Sequence, residues 1–221
     1  PLDHLWSLAI EEQFYRVWPL VGSALVGWRR SDRTRVVVIG AGIVASMVAM
    51  GILGPIEGYF RTEARVFELL AGAALAFATA GSGSGTTWCT PRRSLSAMCV
   101  GGVGIAAFGV IARPEDSWMF PWGFGVLTCC CVLLVAGVVA APAGVSTALS
   151  WAPLCHLGKV SYGVYLWHVP VLVFVSPQML GVADRWWIDI ARLVVLAAIV
   201  EASYRWVEQP VRTSRTMLTT Q

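Results

Sequence analysis

From His4 to Leu20 the chain reads His-Leu-Trp-Ser-Leu-Ala-Ile-Glu-Glu-Gln-Phe-Tyr-Arg-Val-Trp-Pro-Leu. This stretch is as apolar as a membrane-entering helix, yet it holds an imidazole, a hydroxyl, two adjacent carboxylates, an amide and a guanidinium. At helical spacing His4, Ser7, Glu11 and Tyr15 share one face, with Trp18 close by. Glu12 and Arg16, four apart on the neighbouring face, form a favourable carboxylate–cation pair. These side chains can hydrogen-bond or exchange protons. At membrane depth each charge costs about 2.5–3.5 kcal/mol on insertion scales, so the face is expected to meet protein or a wet cavity.

Three further polar stripes follow. Arg61, Arg65 and Glu68 are spaced i, i+4, i+7, and Gly72 continues that face into the apolar run 69–78. They read either as a salt-bridged, snorkelling helix end or as a cavity lining. Ser161, Tyr165 and His168 share a face just ahead of Pro170, the one proline expected to break a helix beside a cavity. A histidine in such a setting is more often a hydrogen-bonded core residue than a catalyst. Glu201, Tyr204, Arg205 and Glu208 line the last apolar segment, and Glu201 with Arg205 reads as a structural ion pair.

The elements that must position these groups follow from composition. The chain is 57% hydrophobic and 13% charged, with a mean hydropathy of +0.67. Its net charge of +3 is too small and scattered for a nucleic-acid reader. Seven apolar blocks, at about 5–27, 36–54, 63–80, 95–112, 121–141, 160–176 and 187–206, read as about seven membrane spans at roughly 20 residues each, the third and sixth being short. Backbone cannot lie bare in lipid, and period-two alternation is absent, so the expected fold is an all-α polytopic transmembrane bundle. Gly101, Gly102, Gly104 and Gly109 should let the fourth helix approach a neighbour closely. No soluble domain or internal repeat is visible, and no signal peptide precedes the first block.

Loop cations set an expected orientation. Arg29, Arg30, Arg33, Arg35, Arg92, Arg93, Lys159, Arg212 and Arg215 fall on one side, against Arg61, Arg65, Arg113 and Arg185 on the other. The first side, with the C-terminus, is expected in the cytoplasm, and the opening helix then enters from outside. The six cysteines form no C-x-x-C pair. Cys99 and the run Cys129-Cys130-Cys131 read as small packing residues, and Cys89 and Cys155 as loop thiols. No metal site is expected. A polar bundle of this kind fits a transporter, an enzyme working across the membrane, or a non-catalytic partner-binding bundle.

The pattern His4-x-Trp-Ser-Leu-x-x-Glu-Glu-Gln-Phe-Tyr-x-x-Trp-Pro-Leu20 resembles the signature of the acyltransferase-3 family, bacterial multi-pass membrane O-acyltransferases. Tyr59-Phe-Arg-Thr-Glu-Ala-Arg65 with Phe67-Glu-Leu-Leu-Ala-Gly72 is similar to a further motif region of that family. Leu157-Gly-Lys-Val-Ser-Tyr-Gly-Val-Tyr-Leu-Trp-His-Val-Pro170 and Val207-Glu-Gln-Pro-Val-Arg212 resemble its closing signatures.

The resemblance implies one partial membrane acyltransferase domain over 1–221, from a family bundle of about ten helices. It implies transfer of an acyl group, typically acetyl, to a hydroxyl of a cell-surface glycan or lipid-linked acceptor at the bacterial plasma membrane. The donor would be acyl-CoA, a co-substrate rather than a bound cofactor. The family's catalytic histidine lies on an N-terminal helix that nothing here matches, so neither His4 nor His168 takes its role, and residues 1–221 alone are expected to be inactive. Glu11 would orient that histidine or pair with Arg65, supported by Ser7, Glu12 and Tyr15. The acceptor would meet His4, Trp6, Arg61, Arg65, Glu68, Ser161, Tyr165 and His168. Arg92, Arg93, Lys159 and Arg212 would meet the donor's phosphates by charge.

Overall fold

The computed structural model describes residues 5–27, 32–80, 90–113, 116–182 and 186–211. Among them there is no strand, and the all-α expectation holds. The chain forms two compact units, Trp6–Ser146 and, with the first five residues, Thr147–Gln221. The first holds α1 (Trp6–Gly27), α2 (Asp32–Phe60), α3 (Thr62–Ala80), α4 (Pro91–Ile111) and α5 (Trp122–Val139). The short α6 (Ala143–Leu149) ends this stretch, and the second unit holds α7 (Ala152–Phe174), α8 (Pro177–Leu180) and α9 (Trp186–Ser203). A π-helical turn, Tyr204–Glu208, continues α9.

Each of the seven apolar blocks is a long helix. By length and composition alone Thr34–Phe60, Pro91–Ile111 and Trp122–Val139 qualify as membrane spans. The charges of Glu11, Glu12 and Arg16 set α1 apart from these, as Glu63, Arg65 and Glu68 do for α3. Large apolar side chains lie on the outside, among them Ile52, Val110, Trp122 and Trp186. That distribution suits a surface solvated by lipid, where burying apolar area drives little and close packing holds helices together.

Packing inside the first unit bears this out. Met50, Ala64, Phe67 and Phe124 make its core, with Ile43, Met47 and Phe120 against them. Small residues join α4 to α5: a Cβ on Gly101 would lie 2.6 Å from the Leu134 nitrogen, and one on Gly137 would lie 2.7 Å from the Ser94 carbonyl oxygen. Gly101 and Gly104 therefore make the expected close approach, whereas Gly102 and Gly109 face open space. The buried Ser94 hydroxyl donates to the Gly137 carbonyl (2.8 Å), and Ser46 accepts from the Phe67 N–H (3.1 Å), tying α2 to α3.

Helix breaks differ from the sequence expectation. α7 runs through Pro170 to Phe174, so no break occurs there. The break lies at Gly54 (φ 73°, ψ −173°), ahead of Pro55. Those angles are open to glycine almost alone, and Pro55 restarts the helix because its missing N–H costs nothing in a first turn. The added turn carries Tyr59 and Phe60. α7 also begins earlier than its apolar block, with Pro153 in its first turn, which places Cys155 on a helix rather than in a loop.

In the second unit Ile188 and Val200 of α9 are buried, as are Val160 and Val171 of α7. Gly163 brings α7 close to Val200. Arg192 donates from Nε to the Val175 carbonyl at the C-terminus of α7 (2.9 Å) and from Nη1 to Asp189 (2.7 Å).

Candidate functional site

Arg65 is the centre of the site in the first unit. Its side chain is 15% exposed and lies one helical turn from Glu68, with Nη1 3.2 Å from the Glu68 Oε1. The contact is ionic only, since the buried Nη1 has no hydrogen-bond acceptor. Aromatic rings supply the remaining shell: the guanidinium carbon lies 4.2 Å from the Phe124 ring centroid, 5.5 Å from Tyr59 and 5.7 Å from Trp6. A weakly hydrated planar cation is well suited to such faces. The broken end of α2 supplies Tyr59, α5 supplies Phe124 and the start of α1 supplies Trp6. Trp6 is itself packed on Tyr59, ring centroids 4.6 Å apart.

A cavity of about 280 Å³ opens beside this pair, lined by Arg65, Glu68 and Gly72 of α3 and by Phe124, Thr128 and Cys131 of α5, among others. The Thr128 hydroxyl donates to the Phe124 carbonyl (2.8 Å). Of the two readings left open for the Arg65–Glu68 stripe, the structure has both: an ion pair, and one that lines a cavity.

Arg61 does not join them. It sits at the joint of α2 and α3, ion-paired with Glu57 (3.5 Å) and with Glu63. Hydrogen bonding to Glu63, then that carboxylate's charge, raises its pKa above the ordinary arginine value.

On α1, Ile10 is buried and Phe14 stacks on Trp18, whose ring meets Phe77 of α3. Gln13 accepts from the Thr62 hydroxyl (2.7 Å). Glu11, Glu12 and Tyr15 are exposed beside this packed stripe, and Ser7 is half-buried. Arg65 pairs with Glu68 rather than with Glu11. The expected Glu12–Arg16 pair is present at 3.4 Å, on the surface. Arg92 and Arg93 are exposed in the first turn of α4, where Thr90 caps the helix by accepting from the Arg93 N–H. His4 and Arg212 lie outside the described residues.

In the second unit His168 Nδ1 lies 2.6 Å from the Tyr165 carbonyl, so Nδ1 carries the proton and donates. The Tyr165 and His168 rings are 5.7 Å apart. Ser161 is exposed and donates to the Gly158 carbonyl, and Lys159 is exposed. Glu201 pairs with Arg205 as expected. It also meets the His156 Nε2 at 3.0 Å, a link across α7 and α9 that sequence reasoning missed. A separation of 45 residues leaves no periodic trace. Phe124 and Cys131 were missed for another reason: α5 is apolar all round, so no face of it stands out. Among the described residues no cluster of histidine, cysteine and carboxylates could hold a metal ion.

A family model described as an acyltransferase domain matches residues 1–201. The peptidoglycan O-acetyltransferase OatA of Listeria monocytogenes is 31% identical over 96% of this chain, which covers 35% of that protein. The O-acetyltransferase OatA of Staphylococcus aureus is 32% identical over the same share, covering 36% of its length. The chain thus spans about a third of the curated relatives it matches. No solved structure matches it.

Proposed function

Given that this chain belongs to the acyltransferase-domain family, we propose that it is the greater part of a membrane domain that O-acetylates peptidoglycan, at a site that includes Arg65 and Glu68. The observation that carries the reading is the buried, acceptor-free Arg65 Nη1 at a cavity. Acyl transfer builds negative charge on a carbonyl oxygen, and a preorganised donor in a poorly hydrated setting stabilises it as it forms. The relatives' names, peptidoglycan O-acetyltransferase among them, support the acceptor and the acetyl group.

The donor in this reading is acetyl-CoA, used as a co-substrate, with Arg92, Arg93, Lys159 and Arg212 available to its phosphates. Acceptor recognition falls to Trp6 beside the Arg65–Glu68 pair, with His4, Arg61, Ser161, Tyr165 and His168 as further candidate contacts. Glu11 is exposed on α1, free to hold the imidazole of a further helix in its productive tautomer, as a carboxylate does in hydrolytic triads. Ser7, Glu12 and Tyr15 flank it. The protein sits in the plasma membrane with its C-terminus in the cytoplasm, and residues 1–221 alone turn over no acyl groups.

The test is transfer of radiolabelled acetyl from acetyl-CoA to peptidoglycan in membranes carrying the full-length protein. Glu11→Gln should lower the rate at normal expression by roughly 10²-fold or more, the scale of loss when a catalytic imidazole loses the carboxylate that orients it. An unchanged rate removes Glu11 from the chemistry. Substrate accumulation in vesicles with no acyl donor would favour a transporter instead.

A further inference from the structure

The cavity between α3 and α5 is larger and more apolar than an acetyl group needs. A sealed site of about 150 Å³ already holds benzene, and this half-open cleft offers about 280 Å³. Beyond Arg65 and Glu68 its walls are mostly apolar, with Leu75, Leu127, Val132, Val135 and the Phe124 ring, and only the Thr128 hydroxyl and the Cys131 thiol interrupt them. The polar end is equally particular. Glu68 neutralises Arg65 at 3.2 Å but gives Nη1 no hydrogen bond. A neutral acceptor such as a carbonyl oxygen completes that donor without adding a second negative charge beside Glu68. The ligand that fits has a carbonyl at one end and a saturated chain at the other.

We propose that this cavity seats the acyl group in transit and accepts chains longer than acetyl, on the order of four to eight carbons by comparison with the benzene-sized site. The inference rests on the acyl-transfer reading and names its acyl substrate. The thioester carbonyl oxygen accepts from Arg65 Nη1 while the chain lies along Leu75 and Val135. The acceptor's hydroxyl oxygen bonds to the carbonyl carbon and the carbon–sulfur bond breaks. The hydroxyl proton leaves with the departing thiol, and Arg65 keeps its own protons throughout.

Cys131 borders the cavity and is a free, exposed thiol, so it reports occupancy directly. Full-length protein in lipid nanodiscs is alkylated with N-ethylmaleimide in the presence of acetyl-, butyryl- or hexanoyl-CoA, or of CoA alone. Fragment-ion mass spectrometry separates Cys131 from its neighbour Cys129, which serves as internal control. Protecting affinity should rise about fourfold per methylene, the value of burying one such group, with no protection by CoA alone. Val135→Trp should cut the hexanoyl-to-acetyl ratio of protecting affinities about tenfold.

Protection independent of chain length, or equal protection by CoA, overturns the proposal. So does a Cys131 unreactive in nanodiscs before any donor is added while Cys129 still reacts, which would assign the cavity to a lipid tail. Acyl transfer measured in parallel separates the two readings. Transfer with a chain-length-blind Cys131 sinks the acyl seat alone. Chain-length-dependent protection without transfer from any donor sinks the acyl-transfer reading and leaves the seat.

Discussion

Arg65 poses the sharpest question at the scale of a single residue, because its surroundings could serve folding or chemistry. Three aromatic faces and one carboxylate surround it, and a cation over a ring is worth about 2 kcal/mol when desolvated. Arg65→Lys keeps the charge but loses the planar fork and its stacking. It should cost about 1–2 kcal/mol of stability, read as a lower unfolding temperature in detergent, and should slow acyl transfer. A paired replacement separates the roles. Removing one member of a largely buried ion pair strands the other, whereas apolar residues of similar volume at both places are often neutral or stabilising. Arg65→Met with Glu68→Leu should therefore unfold within about 1 kcal/mol of the parent, and above Arg65→Met alone. Transfer should still be lost. If the double variant keeps its activity, the pair is a structural one.

Single helices depend on glycines where backbones meet or turn back. Gly137 is such a place: a methyl group there meets the Ser94 carbonyl oxygen and the Met98 nitrogen, neither able to move aside. Gly137→Ala should cost about 1–3 kcal/mol as an overpacked contact, whereas Gly102→Ala, facing open space, should be neutral or slightly favourable through helix propensity. The two unfolding temperatures in one detergent give the comparison. Gly54→Ala should cost about 1–3 kcal/mol for its backbone angles alone. Because the turn beyond Gly54 carries Tyr59 against Arg65, this variant should also slow acyl transfer.

The same elements show what a sequence discloses in a bundle such as this one. Lipid-facing helices declare themselves by length and apolarity, so seven blocks map to seven long helices. Polar residues in apolar runs stand out as well, which made Arg65, Glu68 and Glu201 visible. Which partner each would take was not visible. Glu201 shows its i+4 arginine in the sequence, but its contact with His156 depends on how α7 crosses α9. Glu11 and Arg65 look like natural partners on charge, yet the next turn of α3 supplies Glu68 first. Gly54-Pro55 was passed over because it closes an apolar block, where a kink and a loop read alike.

For the molecule as a whole, direction in the membrane decides which substrate reaches which end. On the orientation proposed from the loop cations, Arg92, Arg93 and Lys159 lie on the cytoplasmic side and the α2–α3 joint, with Glu57, Arg61 and Glu63, outside. Cys155, exposed in the first turn of α7 four residues before Lys159, reports one side. A cysteine introduced as Glu57→Cys reports the other, at an exposed position two residues before Tyr59. In intact cells a membrane-impermeant maleimide should label the position 57 thiol and leave Cys155 untouched, and opening the cells should make Cys155 reactive. That outcome puts the broken end of α2 on the acceptor side and leaves the basic ends of α4 and α7 to a cytoplasmic donor. Labelling of Cys155 in intact cells would reverse the bundle. Arg92, Arg93 and Lys159 would then lose their part in donor binding, because a nucleotide thioester made in the cytoplasm could not reach them.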